Sequence, residues 1–211
     1  METKLSLVNH LLQVVGERRV TTLETGHPSV IQAIQALESM NRDFQGKGWW
    51  FNTNRDVRLV PNNLGEVLLP SEALAFSITR HQLDYMQPAN KQQYVKRGKR
   101  LYDAWNNTYT INRTLMADLV IEIEIEDLPQ IAATYLKHWS AETYYVDDDG
   151  DIQKSDRLAQ RTMLAFHALK AEQMRVMSIN ALDSPAAQNL RYRIGNPGLA
   201  HRAQFLGGRI T

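Results

Sequence analysis

The stretch Ile31–Pro61, IQAIQALESMNRDFQGKGWWFNTNRDVRLVP, decides how the rest of the chain is read. Ile31, Ile34, Leu37, Met40 and Phe44 recur at threes and fours, which gives a helix one apolar face. Gly46 and Gly48 end that helix, because glycine enters the left-handed conformation at little steric cost. Trp49, Trp50 and Phe51 follow at once, the densest aromatic cluster in the chain. Residues 55–60 then read as a strand that Pro61 stops. A helix face and a β segment thus meet at three rings, each able to bury about 150–250 Å². Strand alternation puts Trp49 and Phe51 in one core with Trp50 opposite, so the three form a structural corner.

A chain of 211 residues, 43% apolar and 22% charged, has the composition of a globular protein able to bury a real core. No run approaches the roughly 18 apolar residues needed to span a membrane, and the N-terminus lacks the basic n-region of a signal peptide. The absence of cysteine excludes a disulfide framework, a thiolate nucleophile and a zinc–sulfur site. The net charge of +1 hides a strong asymmetry. Residues 118–151 hold ten acids against one base, while 152–211 hold nine bases against three acids. Such segregation marks solvated faces or partner surfaces rather than a fold.

In chain order, Leu5, Val8, Leu11, Leu12 and Val15 make a short amphipathic helix closed by Gly16. Val20–Glu24 reads as extended, and Pro28 suits a helix start, where its missing N–H would be unpaired anyway. From Trp49 to Leu128 the texture is β, with runs at 55–60, 66–69, 74–79, 94–96, 100–104, 108–112 and 119–126 between Pro and Asn turns. After Pro129 the helical period returns, predicting a helix to about 146, an acidic turn at Asp147–Asp151 and a longer helix over 152–180. The fold class is therefore α+β. Residues 1–48 and 128–183 form a discontinuous helical part, 49–127 a β-rich insertion whose ends lie close together, and 184–211 an extended C-terminal arm.

Four ordered stretches resemble one family. They are Asn41-Arg42-Asp43-Phe44-Gln45-Gly46-Lys47-Gly48-Trp49-Trp50-Phe51-Asn52; the N-terminal pattern Val8-Asn9, Leu12, Gly16-Glu17, Val20 and Leu23-Glu24; the hairpin Tyr94-Val95-Lys96-Arg97-Gly98-Lys99-Arg100-Leu101-Tyr102-Asp103; and Leu128-Pro129 opening a helix with Ala132, Tyr135 and Trp139. Together they resemble the tail tubular protein A family, the head-to-tail adaptors of short-tailed bacteriophages. Lys99 stands where the family carries a second glycine, a departure that bears on the turn type. The resemblance implies a virion structural protein assembled in the host cytoplasm, in a ring of twelve copies between portal protein and tail nozzle protein. That ring would line the channel through which double-stranded DNA leaves without being specifically bound. The resemblance implies no cofactor.

Several stretches could carry chemistry or contacts. In Ile121–Glu126 isoleucine alternates with glutamate, so a strand there would send Glu122, Glu124 and Glu126 out together as a channel wall or subunit contact. Lys96, Arg97, Lys99 and Arg100, with Lys91 before them and Tyr94 and Tyr102 interleaved, could track a nucleic-acid backbone or face an interface. The acidic run Asp147–Asp151 fails as an EF-hand, because Ile152 and Leu158 hold its sixth and twelfth positions. No HExxH, GxxxxGK[ST] or GxSxG pattern is present. In the arm, Arg191, Tyr192, Arg193, Arg202, Phe205 and Arg209 are candidates for portal or neighbour contact. Two other readings stand beside the adaptor: a tail-associated glycan hydrolase using paired carboxylates, and a small DNA-binding protein using Lys91–Arg100.

Overall fold

The computed structural model describes residues 2–24, 26–79, 93–149 and 151–177. Among them the order is α1 (Lys4–Val14), α2 (Pro28–Gln45), β1 (Thr53–Leu59), β2 (Ala73–Ile78), β3 (Tyr94–Arg97), β4 (Arg100–Asp103), β5 (Leu115–Ile121), a 3₁₀ turn (Ile125–Asp127), α3 (Gln130–Asp149) and α4 (Ile152–Val176). The class is α+β, as the pattern predicts. By its contacts the chain divides into Met1–Lys170 and Ala171–Thr211. The second unit is described through Met177, and within it Glu172 pairs with Arg175 on the last turns of α4. No helix among the described residues is long and apolar enough to cross a membrane.

Local chemistry sets the helix ends. Thr3 caps α1 in a reciprocal capping box with Ser6, and Gly16 leaves the helix at φ +88°. Pro28 occupies the first turn of α2. At the other end Gly46 stays right-handed at φ −60°, and Gly48 alone turns left-handed at φ +73°. Its missing side chain also matters, since a Cβ there would stand 3.1 Å from the Val120 side chain. The buried face of α2 is Val30, Ala33, Leu37, Met40 and Phe44, while Ile31 is 45% exposed. A helix turns about 100° per residue, so successive steps of three drift off any one face. The predicted stripe therefore fails at Ile31. α3 runs to Asp149, beyond the expected stop near 146.

Two apolar clusters fill the first unit. The helical one gathers Leu7, Leu11, Leu12, Leu37, Phe44, Trp49, Ile125, Leu136 and Leu169 with their neighbours. The β cluster gathers Leu59, Val67, Leu69, Leu101, Leu115, Ala117 and Leu119. β5 lies between β1 and β2 in an antiparallel sheet of order β1-β5-β2, and β3 pairs with β4 in a separate hairpin. A bulge in β1 places Asp56 at φ +53°, and the Asp118 carboxylate accepts its N–H at 2.9 Å. The outgoing and returning chains meet where Ile121 N–H donates to the Asn52 carbonyl at 2.9 Å.

Three strand expectations change. Residues 66–69 and 108–112 make only isolated bridges, Glu66 to Thr110, Leu68 to Arg100 and Asp103 to Thr108. The run read as 119–126 begins at Leu115 and leaves the sheet after Ile121. At the stretch read as extended, the Asn9 side-chain amide bonds both the N–H (2.7 Å) and the carbonyl (2.9 Å) of Val20.

The aromatic corner is a turn rather than a strand, so simple alternation does not govern it. Trp49 is 3% exposed, with its ring centroid 5.2 Å from that of fully buried Phe44; Trp50 and Phe51 are both half-buried against the same cluster. Trp49→Ala should therefore cost about 3–5 kcal/mol. Trp50→Ala and Phe51→Ala should each cost less. Thermal unfolding of the three variants checks this ranking, and a Trp50 variant as damaged as the Trp49 variant would contradict it.

Candidate functional site

The stretch around Gln45 is a buried polar hub. Gln45 is fully buried, Asn52 is 2% exposed and Asn41 5%. The Gln45 amide nitrogen donates to the Ile123 carbonyl (2.8 Å) and to Asn41 Oδ1 (3.0 Å), while its oxygen accepts the Ile123 N–H (2.8 Å). Asn52 Nδ2 donates to the carbonyls of Gln45 (3.0 Å) and Ile121 (3.1 Å), and Asn52 Oδ1 accepts the Trp49 N–H (2.8 Å). The Trp49 indole N–H donates to the Phe44 carbonyl at 2.8 Å. Asn41, Phe44, Gln45, Trp49 and Asn52 all belong to the stretch Asn41–Asn52. They work as a clamp that fastens the end of α2 to the chain returning from β5. The sequence reading gives the rings a structural role and carries Asn41, Gln45 and Asn52 only as part of the family resemblance, without a role in the fold.

That clamp also accounts for the acidic run. Gln45 occupies both backbone groups that Ile123 would need for a ladder, so the strand ends. Ile121 packs with the β cluster, whereas Ile123 and Ile125 turn to the helical one. The three glutamates consequently do different things. Glu122 pairs with Arg42 at 3.2 Å, Glu124 is exposed, and Glu126 accepts the Lys4 N–H at the start of α1 at 2.9 Å. They do not form one strand face, contrary to the alternation. With Lys4, Glu38, Arg42 and Glu72, the first two border a cavity of about 400 Å³.

The basic hairpin forms as expected, over a two-residue turn. Gly98 takes φ +62°, and Lys99 is not among the residues at positive φ. One glycine suffices for this turn, which is how lysine fits the second position. The inner face, Tyr94, Leu101 and Asp103, is buried. Asp103 lies below the usual carboxylate range: burial pushes it up, but hydrogen bonds from Asn106, Gln93 and Trp105 outweigh that. On the outer face Arg97 lies 3.6 Å over Tyr102, and Arg100 lies 4.4 Å over Tyr109 while pairing with Glu66 at 2.8 Å. Lys96 donates to the backbone carbonyls of Ala73 and Leu74. Lys99 is exposed. Three of the four bases are thus engaged within the chain. Lys91 and the arm candidates Arg191, Tyr192, Arg193, Arg202, Phe205 and Arg209 lie outside the described residues.

Sequence reasoning also missed a histidine pair. His10 on α1 and His138 on α3 meet edge-on, centroids 6.3 Å apart, and His10 Nε2 and His138 Nδ1 are buried without a hydrogen-bond partner. Burial, then Lys137, His138 and Arg161, push His10 down to about 4 against a weaker opposite pull from Glu2; burial lowers His138 as well. Among the described residues no group of three or more His, Asp or Glu side chains could hold a metal ion.

Comparison with known proteins bears on this arrangement as a whole. A family model described as tail tubular protein matches residues 5–183. The chain is also 24% identical over 189 residues to tail tubular protein A of Klebsiella phage KP34, an alignment covering 89% of this chain and 96% of that protein.

Two outcomes are expected from this geometry. Gln45→Leu keeps the volume but removes the partner of both the N–H and the carbonyl of half-buried Ile123, which should cost about 2–4 kcal/mol in denaturant unfolding. The histidines set a pH dependence. Their folded pKa values lie below the ordinary 6.5, so the unfolded chain takes up protons first as pH falls. Their contribution is intact above pH 6.5 and is lost progressively toward about 4. Melting temperature should fall across that window, and His10→Gln should flatten the slope; an unchanged slope would mean that His10 titrates alike in both states.

Proposed function

The chain belongs to the tail tubular protein family, whose members are structural components of phage tails, and from that premise we propose that it is the adaptor subunit joining portal to tail nozzle. In this reading twelve copies form a ring between the portal protein and the nozzle protein, in the virion tail, after assembly in the host cytoplasm. The ring lines the channel through which double-stranded DNA is ejected. The observation that carries the reading is the family match over residues 5–183, which spans both apolar clusters and the clamp between them. The clamp supports it physically. A fully satisfied polar network at a joint fixes one geometry, which a rigid interlocking part requires.

The hairpin fits a channel or an interface better than a DNA-gripping site. Every free Lys or Arg contact with phosphate adds a salt-dependent hold on the strand, which a passage for moving DNA must avoid. Here Arg97 is stacked on tyrosine, Arg100 is stacked and paired, and Lys96 is bound to carbonyls. Glycan hydrolysis needs one carboxyl raised by burial beside an ionised partner. The shifted carboxyls among the described residues, such as Glu2 and Asp103, are instead lowered by hydrogen bonds. No enzymatic step is part of this proposal.

We assign the arm, 184–211, to contact with the portal or a neighbouring subunit, on the strength of its arginines and scattered apolar anchors. Electron images of isolated tails should show the protein as a ring at the portal joint, and it should co-purify with portal protein. Its absence from that joint would end the adaptor reading. Deleting residues 185–211 should leave the melting temperature nearly unchanged while abolishing portal attachment. A truncated chain that docks with full affinity would remove the arm from the interface.

A further inference from the structure

We propose that a cationic cavity between α1 and α4 receives the acidic ledge at Glu72 and Glu124 of a second copy, locking neighbouring subunits head to tail. This rests on the ring reading and names the contact that would close such a ring. Lys154, Arg157 and Arg161 recur at three and four residues along α4, so they share the face that also buries Leu158. That face and the residues His10 and Gln13 of α1 enclose about 380 Å³. No carboxylate lines the cavity. Lys154 is already employed: it donates to the Val14 carbonyl at the end of α1 and lies 4.3 Å over the Tyr145 ring. Arg157 and Arg161 are exposed and make no hydrogen bond or ion pair among the described residues. Two guanidinium groups one turn apart can each bind a carboxylate bidentately.

The second copy is the occupant because the same chain carries the complement. At the other end of α1 lies the cavity of about 400 Å³ bordered by Lys4, Glu38, Arg42, Glu72, Glu122 and Glu124. Its two cations are taken within the chain, Lys4 by Glu38 and Arg42 by Glu122. Glu72 and Glu124 remain exposed and leave the ledge acidic. Lys4 opens α1 and Val14 closes it, so the two surfaces sit at opposite ends of an 11-residue helix, roughly 15 Å apart. Surfaces of opposite sign at different places on one subunit fit a heterologous contact, the kind that closes into rings. Either surface facing itself across a two-fold axis would oppose like charges. The cationic face lies on α4 in the helical cluster, Glu124 lies beside the clamp, and Glu72 lies beside Ala73 of the β cluster, so little ordering is needed on contact.

The chain contains no cysteine, so Arg161→Cys with Glu124→Cys introduces the only two thiols. Oxidising tails assembled from this double variant should give a ladder of covalent multimers, and either single variant should give monomers. A ring visible at the portal joint without the ladder would overturn the contact and leave the adaptor reading standing. Tails of the unaltered protein without a ring would remove both. In parallel, Arg157→Glu with Arg161→Glu should keep the melting temperature and weaken subunit association by about tenfold or more. Adding Glu72→Lys and Glu124→Lys to the same chain should restore association. Loss without restoration would assign the cavity to another partner, such as an acidic segment of the portal. Normal assembly with salt-dependent slowing of ejection would assign it to DNA phosphate. Either result overturns the proposal.

Discussion

The joint between the end of α2 and the chain leaving β5 depends on one side-chain amide answering both backbone groups of one residue. Ile123 offers a donor and an acceptor, and the Gln45 carboxamide meets both at 2.8 Å across 78 residues of sequence. Gln45 is fully buried, and an apolar or acidic side chain in its place would leave at least one of the two Ile123 groups without its partner. The consequences spread outward. β5 must stop, the returning chain must run beside the end of α2, and Asn52 must lie where it can bond the carbonyls of Gln45 and Ile121 together. Trp49 is then held by its own N–H and indole, so the most buried ring of the corner is fixed at both ends.

This explains which parts of the fold were legible in the sequence. Features fixed within a few residues read well: the Gly16 stop, Pro28 at a helix start, the hairpin about Gly98, and the apolar period of α3 and α4. Features fixed by a distant partner did not. The Ile-Glu alternation after Ile121 is a good strand pattern by local rules, and it loses to a glutamine on another element. Trp50 and Phe51 were assigned opposite faces by a period of two, but a turn has no such period, and both rest half-buried on one cluster. Ile31 misled for a simpler reason, since steps of three fall short of a full turn of helix.

The same division holds for the candidate sites. The basic hairpin could be found from composition, but its engagement could not, because Tyr109 and Glu66 reach Arg100 from outside the strand pair. The chemistry implied by a run of bases changes once each has an internal partner. A stacked and paired arginine offers less to phosphate than a free one, while its ring partner still presents the apolar and aromatic area that protein contacts favour. The histidine pair is likewise invisible locally, being made by helices more than a hundred residues apart in sequence.

The charge asymmetry gains physical meaning last. In the sequence it is a statement about blocks: acids over 118–151, bases from 152 onward. Among the described residues no ion pair joins the two blocks. Lys154, Arg157 and Arg161 gather beside the C-terminal end of α1, and Glu72, Glu122 and Glu124 lie with Glu38 beside its N-terminal end. A lone subunit gains nothing from keeping such groups apart, because exposed charges separated by more than about 10 Å are screened at ordinary salt. Segregation of this kind acts only when another surface comes close enough to displace water and ions. In the proposed contact a second copy of the same chain answers both ends at once, and a rotation at each step would turn that displacement into the ring of the adaptor reading.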